Sequence, residues 1–393
     1  MKNAFKIALL SLALTSNLAP LLAAPAIKLI GVDFPDASPV LVQLIVTFAS
    51  FFVVPALLSV RFISTYFSKK TILLFGLLLY IIGGVGPAFM HSVTGILVFR
   101  AVLGISIGLV TTMLNTLIAE HIQGNERIKM NGLIQAISGL GGAFFLSLGG
   151  NIAALGWRGV FLTYSYAIIL AILVLLFIPR DKPGRLTMKS NQEKPSRLPA
   201  KVYGVSLGTL GILILYYAIP TNLAVYMADN GFGNATATGY VTAVSLLAIF
   251  IGGLCVRVMA ERFKQAIIPL VVLLYSVSFV MISVTHLLSL VILSVSLIGF
   301  GFGIVYPMLM GSIMEATPKS RLTSGISMLL IFTYLGQFVT PIVLNGIHLI
   351  GISTLRGTFL TLGIITGIAF ILVSVYSVSK SIIRMKLDSN SPG

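Results

Sequence analysis

Cysteine is nearly absent from this chain of 393 residues: Cys255 stands alone, which excludes an intramolecular disulfide and a cysteine-based metal centre. Charge is scarce as well, at 9% of residues. A soluble domain carries roughly 25%, so a sequence that is 57% hydrophobic with so little charge is not a soluble protein. Acids are rarer still, ten Asp and Glu against 26 Lys and Arg. They fall in loops or at the ends of predicted helices: Asp33, Asp36 and Asp229 toward one side, and Glu120, Glu126, Asp181, Glu193, Glu261, Glu315 and Asp388 toward the other. No carboxylate is therefore expected deep in the membrane, where proton-driven carriers commonly place a relay. There is no His-Glu-x-x-His motif, no phosphate-binding loop and no Cys/His cluster, so an ATP-driven pump has no support and neither metal nor cofactor is expected. Gly104-Ile-Ser106-Ile-Gly108 has the spacing of a nucleophile elbow, but that motif needs a strand-turn-helix setting and here sits in an apolar run. The protein is not read as an enzyme.

What the chain has in abundance is apolar runs about twenty residues long, each enough to cross roughly 30 Å of hydrocarbon as a helix. They lie near 5–30, 39–60, 71–90, 94–119, 130–151, 158–179, 202–228, 237–259, 266–286, 288–314, 323–347 and 356–379. This predicts an all-α membrane protein with twelve transmembrane helices. The first run imitates a secretory signal, with Lys2 and Lys6 before an apolar stretch and Ala23-Ala24-Pro25-Ala26 after it. Its apolar character continues to Ile30, so it reads as an uncleaved first helix with Asn17 and Pro20 near its middle.

Placing the N-terminus in the cytoplasm puts all Lys and Arg except Lys28, Arg100, Arg158 and Arg356 on that side. Such asymmetry is the positive-inside rule, and it assigns both termini to the cytoplasm. The net charge of +16 then reads as topology, and no nucleic-acid partner is expected. Residues 180–201 are polar, basic and interrupted by Pro183, Pro195 and Pro199, forming a cytoplasmic linker. The expected organisation is a six-helix unit over 1–179, the linker 180–201, a second six-helix unit over 202–379, and a cytoplasmic tail over 380–393.

The two units echo each other. Pro25 and Pro220, His91 and His286, Gly104 and Gly299, Gly108 and Gly303, and Glu120 and Glu315 are each separated by 195 positions. Trp157-Arg-Gly-Val-Phe-Leu-Thr163 returns as Leu355-Arg-Gly-Thr-Phe-Leu-Thr361. Units with an even number of spans share one orientation, so the repeats are parallel.

Twelve spans in two such units, a charged central linker and a basic loop between spans two and three resemble the major facilitator superfamily across nearly the whole chain. Arg100 and Gly104 match that family's span-four signature, and Trp157-Arg158 the pair that often opens span six. The loop signature after span two is worn: Arg61 to Lys69-Lys70 remain, with Thr65 at the usual aspartate. Arg257 and Glu261-Arg262 stand in the second unit's copy. Gly139-Leu-Gly-Gly142 and Gly149-Gly150 in span five resemble drug-efflux members, although Phe145-Leu146 replace the usual Gly-Pro.

The resemblance implies a major facilitator fold with a midplane site between the units, lined by spans 1, 2, 4, 5, 7, 8, 10 and 11. Polar or aromatic candidates there are Asn17, Gln43, Arg100, Thr111, Asn115, Gln135, Tyr217, Tyr306 and Gln337. For each, an interhelical hydrogen bond stands beside a substrate contact as the reading. Arg100, Gly104, Gly108, Thr111 and Asn115 share one helical face, which is expected to meet the cavity. A guanidinium in lipid costs roughly 2.5–3.5 kcal/mol, so Arg100 needs a partner, and Asp33 is the coupling candidate to meet it from outside. The loop residues Arg61, Lys69, Lys70, Arg257, Glu261 and Arg262 are the gating candidates. The expected activity is export of small neutral or anionic organic compounds by alternating access with proton antiport. Uptake or facilitated diffusion of a metabolite, or a non-transporting receptor or assembly factor, are the rivals. Expected partners are a small-molecule substrate, protons and the lipid bilayer, around a monomer in the cytoplasmic membrane.

Overall fold

A computed structural model describes residues 2–15, 19–122, 124–180, 198–263, 266–318, 321–349 and 351–389. Among these residues the regular structure is entirely helical. The helices are α1 (Lys2–Ser11), α2 (Ile27–Asp33), α3 (Pro39–Ile63), α4 (Lys69–Val85), α5 (Val93–His121), α6 (Gly124–Leu155), α7 (Trp157–Leu162), α8 (Ala167–Phe177), α9 (Ala200–Asp229), α10 (Ala235–Phe263), α11 (Ile267–Val284), α12 (Leu288–Ala316), α13 (Leu322–Leu349) and α14 (Leu355–Ser389). Eleven segments are long and apolar enough to cross a membrane, from Pro39–Val60 to Leu355–Val375.

The expected first span is not one continuous helix. It comprises α1, two 3-10 segments (Leu12–Thr15 and Leu21–Ala26) and α2. Pro20 precedes the second 3-10 segment and Pro25 lies within it. Proline lacks an amide proton and crowds the preceding turn, so two of them five residues apart oppose a regular α-helix. Elsewhere, short loops start helices with serine caps. The hydroxyls of Ser38, Ser68 and Ser92 accept from the amides of Leu41, Thr71 and Gly95 at 3.4, 3.2 and 3.1 Å. Each satisfies an amide that the helix itself leaves open.

Helix pairing recurs along the chain. α3 packs on α5 and α4 on α5, just as α10 packs on α12 and α11 on α12; the α6 contact with the broken first span returns as α13 on α9. α6 against α10 and α3 against α13 join the helices before the linker to those after it.

The core shows where that junction is tight. One continuous apolar cluster draws on both sets of helices, from Ala19 to Leu362. Toward the end where α8 finishes and α9 begins, here the linker end, the clusters separate. One holds Leu9, Val60, Leu73, Met113, Ile118 and Val174 of the first set; the other holds Val202, Ile313 and Leu329 of the second. Among the described residues, the two sets share a core from mid-span to the remote end and have separate cores at the linker end.

Candidate functional site

Arg100 lies two turns into α5, about 10 Å from its start. Its side chain is 0% exposed. It meets no carboxylate. Nε donates to the Ile45 carbonyl at 2.7 Å, Nη1 donates to the Tyr164 hydroxyl at 2.8 Å, and Nη2 reaches the Pro20 carbonyl at 3.5 Å. The guanidinium carbon lies 5.5 and 5.6 Å from the ring centres of Phe161 and Tyr164.

The break in the first span explains this arrangement. Interrupting an α-helix frees carbonyls that lipid cannot hydrogen-bond, so protein donors must meet them. Tyr164 donates to the Ala19 carbonyl. Tyr166 donates to Leu14 O at 2.9 Å, with its hydroxyl 2.6 Å from that of Tyr80, and Ser138 donates to Ala13 O at 2.9 Å. Donors from α5, α6 and the 3-10 turn Thr163–Tyr166 thus converge on one irregular backbone, and Tyr80 of α4 backs them through Tyr166.

Two expectations are corrected here. Asp33 does not meet Arg100: its Oδ2 accepts from Trp157 Nε1 at 2.6 Å and pairs with Arg158 Nη1 at 3.5 Å. Asp33 ends α2 and Trp157 opens α7, so the contact is local to the remote end, with Trp157 and Phe161 standing between Asp33 and Arg100. The stripe from Arg100 to Asn115 is likewise no cavity wall over its length. A Cβ on Gly104 would strike the backbone of Ala49, and one on Gly108 would strike Ala56 and Val53, because α5 packs closely on α3 there. Gly299 and Gly303 do the same against Ser245 and Ile249 of α10. The repeated glycines mark two equivalent helix crossings. Beyond them, Thr111 has a buried hydroxyl without a partner among the described residues, and Asn115 is exposed.

The remaining candidates cluster at the junction of the two sets. Gln43 Nε2 donates to Asn222 Oδ1 at 2.8 Å, and Ser50 Oγ donates to Gln337 Oε1 at 2.7 Å. Tyr217 is buried beside Tyr216, whose ring stacks on Phe302 at 4.4 Å; Phe302 in turn stacks on Tyr306 at 5.4 Å. Asn17 lies outside the described residues, as do the side chains of Gln135 and Arg61.

Polar ties also close the remote end. Lys28 does not extend freely to solvent; it pairs with Asp229 across the junction at 2.5 Å. Asn151 donates to the Tyr240 hydroxyl at 3.0 Å, next to the point where Gly150 and Gly239 bring the backbones of α6 and α10 together. Arg356 repeats the placement of Arg158. Arg158 spans Asp33 and Met90 O, whereas Arg356 donates to Asn230 Oδ1 at 2.6 Å and to the carbonyls of Ser283 and Thr285 at 3.2 and 2.8 Å. The shared Arg-Gly sequence was the available signal for these clamps, although not for their partners.

At the linker end, Lys69 pairs with Glu120 at 2.7 Å and Lys70 donates to Leu175 O at 2.7 Å. Glu261 pairs with Arg257 one turn before it at 2.9 Å, and Arg262 is exposed.

A family profile described as Major Facilitator Superfamily matches residues 5–341, and again 205–382. A stretch of 114 residues is 29% identical to the arabinose-proton symporter of Escherichia coli (strain K12), covering 29% of this chain. The same relative occurs in Escherichia coli O157:H7, and the match spans 24% of the length of either. Among solved structures, a POT family transporter in complex with a thioalcohol conjugated peptide superposes with a TM-score of 0.77 at 12% identity, covering 96% of both chains. The nucleoside transporter NupG gives 0.72 at 11%, covering 95% of this chain and 99% of that one. A bacterial homolog of the human lysosomal transporter Spinster, inward-facing and occupied, gives 0.70 at 15%, covering 98% and 97%. At these identities the likeness is one of fold.

Proposed function

We propose that this chain, which belongs to the major facilitator superfamily, is a multi-pass secondary transporter that exports small uncharged organic compounds by alternating access in exchange for protons. The observation that carries this reading is the divided core: one cluster joins both helix sets at the remote end, and each set has its own cluster at the linker end. Two bodies, 1–179 and 202–379, rocking about the mid-span layer would exchange that arrangement for its reverse. The positive-inside pattern supports a cytoplasmic linker end, in a protein read as a monomer of the cytoplasmic membrane.

An Arg100 facing the cargo would favour anionic as well as neutral compounds. With its donors directed to the chain's own carbonyls and Tyr164, support for an anion falls away. The coupling candidates are the acids that tie the remote end, Asp33 and Asp229, through their ion pairs with Arg158 and Lys28. A second reading, uptake, is favoured by the partial match to a sugar-proton symporter.

Everted vesicles containing the protein test the choice. Under antiport, adding a neutral substrate to acid-loaded vesicles dissipates the pH gradient, and Asp33→Asn slows this. Proton entry together with substrate from the opposite face supports uptake. Flux unaffected by the gradient contradicts coupling.

A further inference from the structure

Alternating access requires the mid-span junction to part. Gln43 with Asn222 and Ser50 with Gln337 hold it, through hydrogen bonds of 2.8 and 2.7 Å. Ser50, Asn222 and Gln337 are buried, and all four side chains are uncharged. The Asn222 amide nitrogen also donates to Ala218 O at 3.0 Å and lies 3.0 Å from the Thr221 hydroxyl. Thr47 shares the α3 face with Gln43 and Ser50, and its buried hydroxyl has no partner among the described residues. Aromatic rings border the layer: Phe338 packs 6.1 Å from Phe48 and 4.9 Å from Phe51. The Tyr216–Phe302–Tyr306 stack lies on the second set.

When these pairs separate, each donor and acceptor loses its partner in a low-dielectric setting. Leaving such a group unmade costs about 1–3 kcal/mol, so water or cargo must replace the lost bond. Among the described residues a cationic cargo would find no opposite charge in this layer, and an anionic one would meet only Arg100, which lies behind α3 on the Ile45 carbonyl and is 0% exposed; either would keep most of its desolvation penalty. An uncharged molecule with both donors and acceptors replaces the bonds without that penalty, and its apolar face rests on the rings.

We infer that Gln43, Ser50, Asn222 and Gln337 both seal the closed end and recognise cargo, and that the cargo is an uncharged molecule bearing hydroxyl or carboxamide groups on a compact ring or similar frame. This rests on the transport reading above. The seal and the binding site are one layer, so cargo competes with the protein's own contacts.

The test uses the full chain in lipid nanodiscs, with thermal unfolding as the readout of binding. The neutral probes are L-arabinose, uridine and benzamide; the charged ones are benzoate and tetraphenylphosphonium. At least one neutral probe should raise Tm in a saturable way, and neither charged probe should. Gln337→Leu and Gln43→Leu, which keep side-chain bulk, should raise the half-saturating concentration at least ~10-fold. Gln337→Glu should confer a response to tetraphenylphosphonium. Ser50→Ala, a smaller change, provides the same readout where a leucine variant does not fold. Stabilisation by benzoate or tetraphenylphosphonium equal to that by the neutral probes overturns the inference. So does no response to any neutral probe, or unchanged affinity in the variants. Neutral probes that bind through this layer yet are never moved into proteoliposomes would contradict transport and leave the layer's recognition standing. Transport of the charged probes would do the reverse.

Discussion

Arg100 is the residue on which the first helix set turns, because it joins three segments that have no other common donor. It reaches Ile45 of α3, Pro20 of the broken first span and Tyr164 of the turn before α8. Arg100→Ala removes the one side chain that ties Ile45 O, the Tyr164 hydroxyl and Pro20 O together, and charge-assisted bonds are worth about 1.5–3 kcal/mol each. The variant should lose about 3 kcal/mol or more of stability, read as a lower unfolding midpoint in nanodiscs. Tyr164→Phe should lose about 1–2 kcal/mol, and the double variant less than the sum, since the two residues share one network. Additive losses would show that they act separately. Sequence made Arg100 conspicuous as a charge in an apolar run, yet hid its partners. Backbone carbonyls are present at every residue, so nothing in the letters marks Ile45 or Pro20 as acceptors. A carboxylate is legible by its letter, which singles out Asp33, but Asp33 pairs with Trp157 and Arg158.

Elements are more legible than contacts, since a membrane demands length and hydrophobicity from each span on its own. Eleven spans meet that demand, and the first departs from it where Pro20 and Pro25 occur. The duplicated glycines were visible, but spacing alone could not choose between lining a cavity and packing on a neighbour; the backbones of α3 and α10 decide for packing. Lys28–Asp229 could not be read from sequence because its ends are 201 positions apart on different elements. With 38% and 50% of these side chains exposed, the pair contributes no more than about 1 kcal/mol. In the proposed cycle that small term would bias two conformers against each other, so Lys28→Glu should raise the fraction open at the remote end. Combining it with Asp229→Lys should restore the original balance. Reactivity of a cysteine placed at Ala224, buried in the shared core, in a Cys255→Ser background, measures that fraction with a membrane-impermeant maleimide. Equal labelling in the three proteins would exclude a latch.

The whole molecule is organised by repetition with one asymmetry of consequence. Helix pairings, crossing glycines and the Arg158 and Arg356 clamps all recur, whereas position 100 has Val295 as its counterpart. A buried guanidinium is needed only where a span is broken, and α9, the counterpart of the first span, runs unbroken from Ala200 to Asp229 despite Pro220. The first helix set thus carries a fixed polar scaffold around its irregular segment, and the second presents tyrosines and amides to the junction. A neutral layer is left between the sets, and in the proposed cycle motion of one set against the other would make and break it.

The most direct test of that motion is the distance between spin labels at each end in reconstituted protein lacking Cys255. One pair, at Asp36 and Asn234, spans the remote end; the other, at Tyr66 and Glu261, spans the linker end. Alternating access predicts two populations at each end with opposite weights, so that conditions lengthening the remote-end distance shorten the linker-end one. A single fixed distance at both ends, or both distances growing together, would contradict the account.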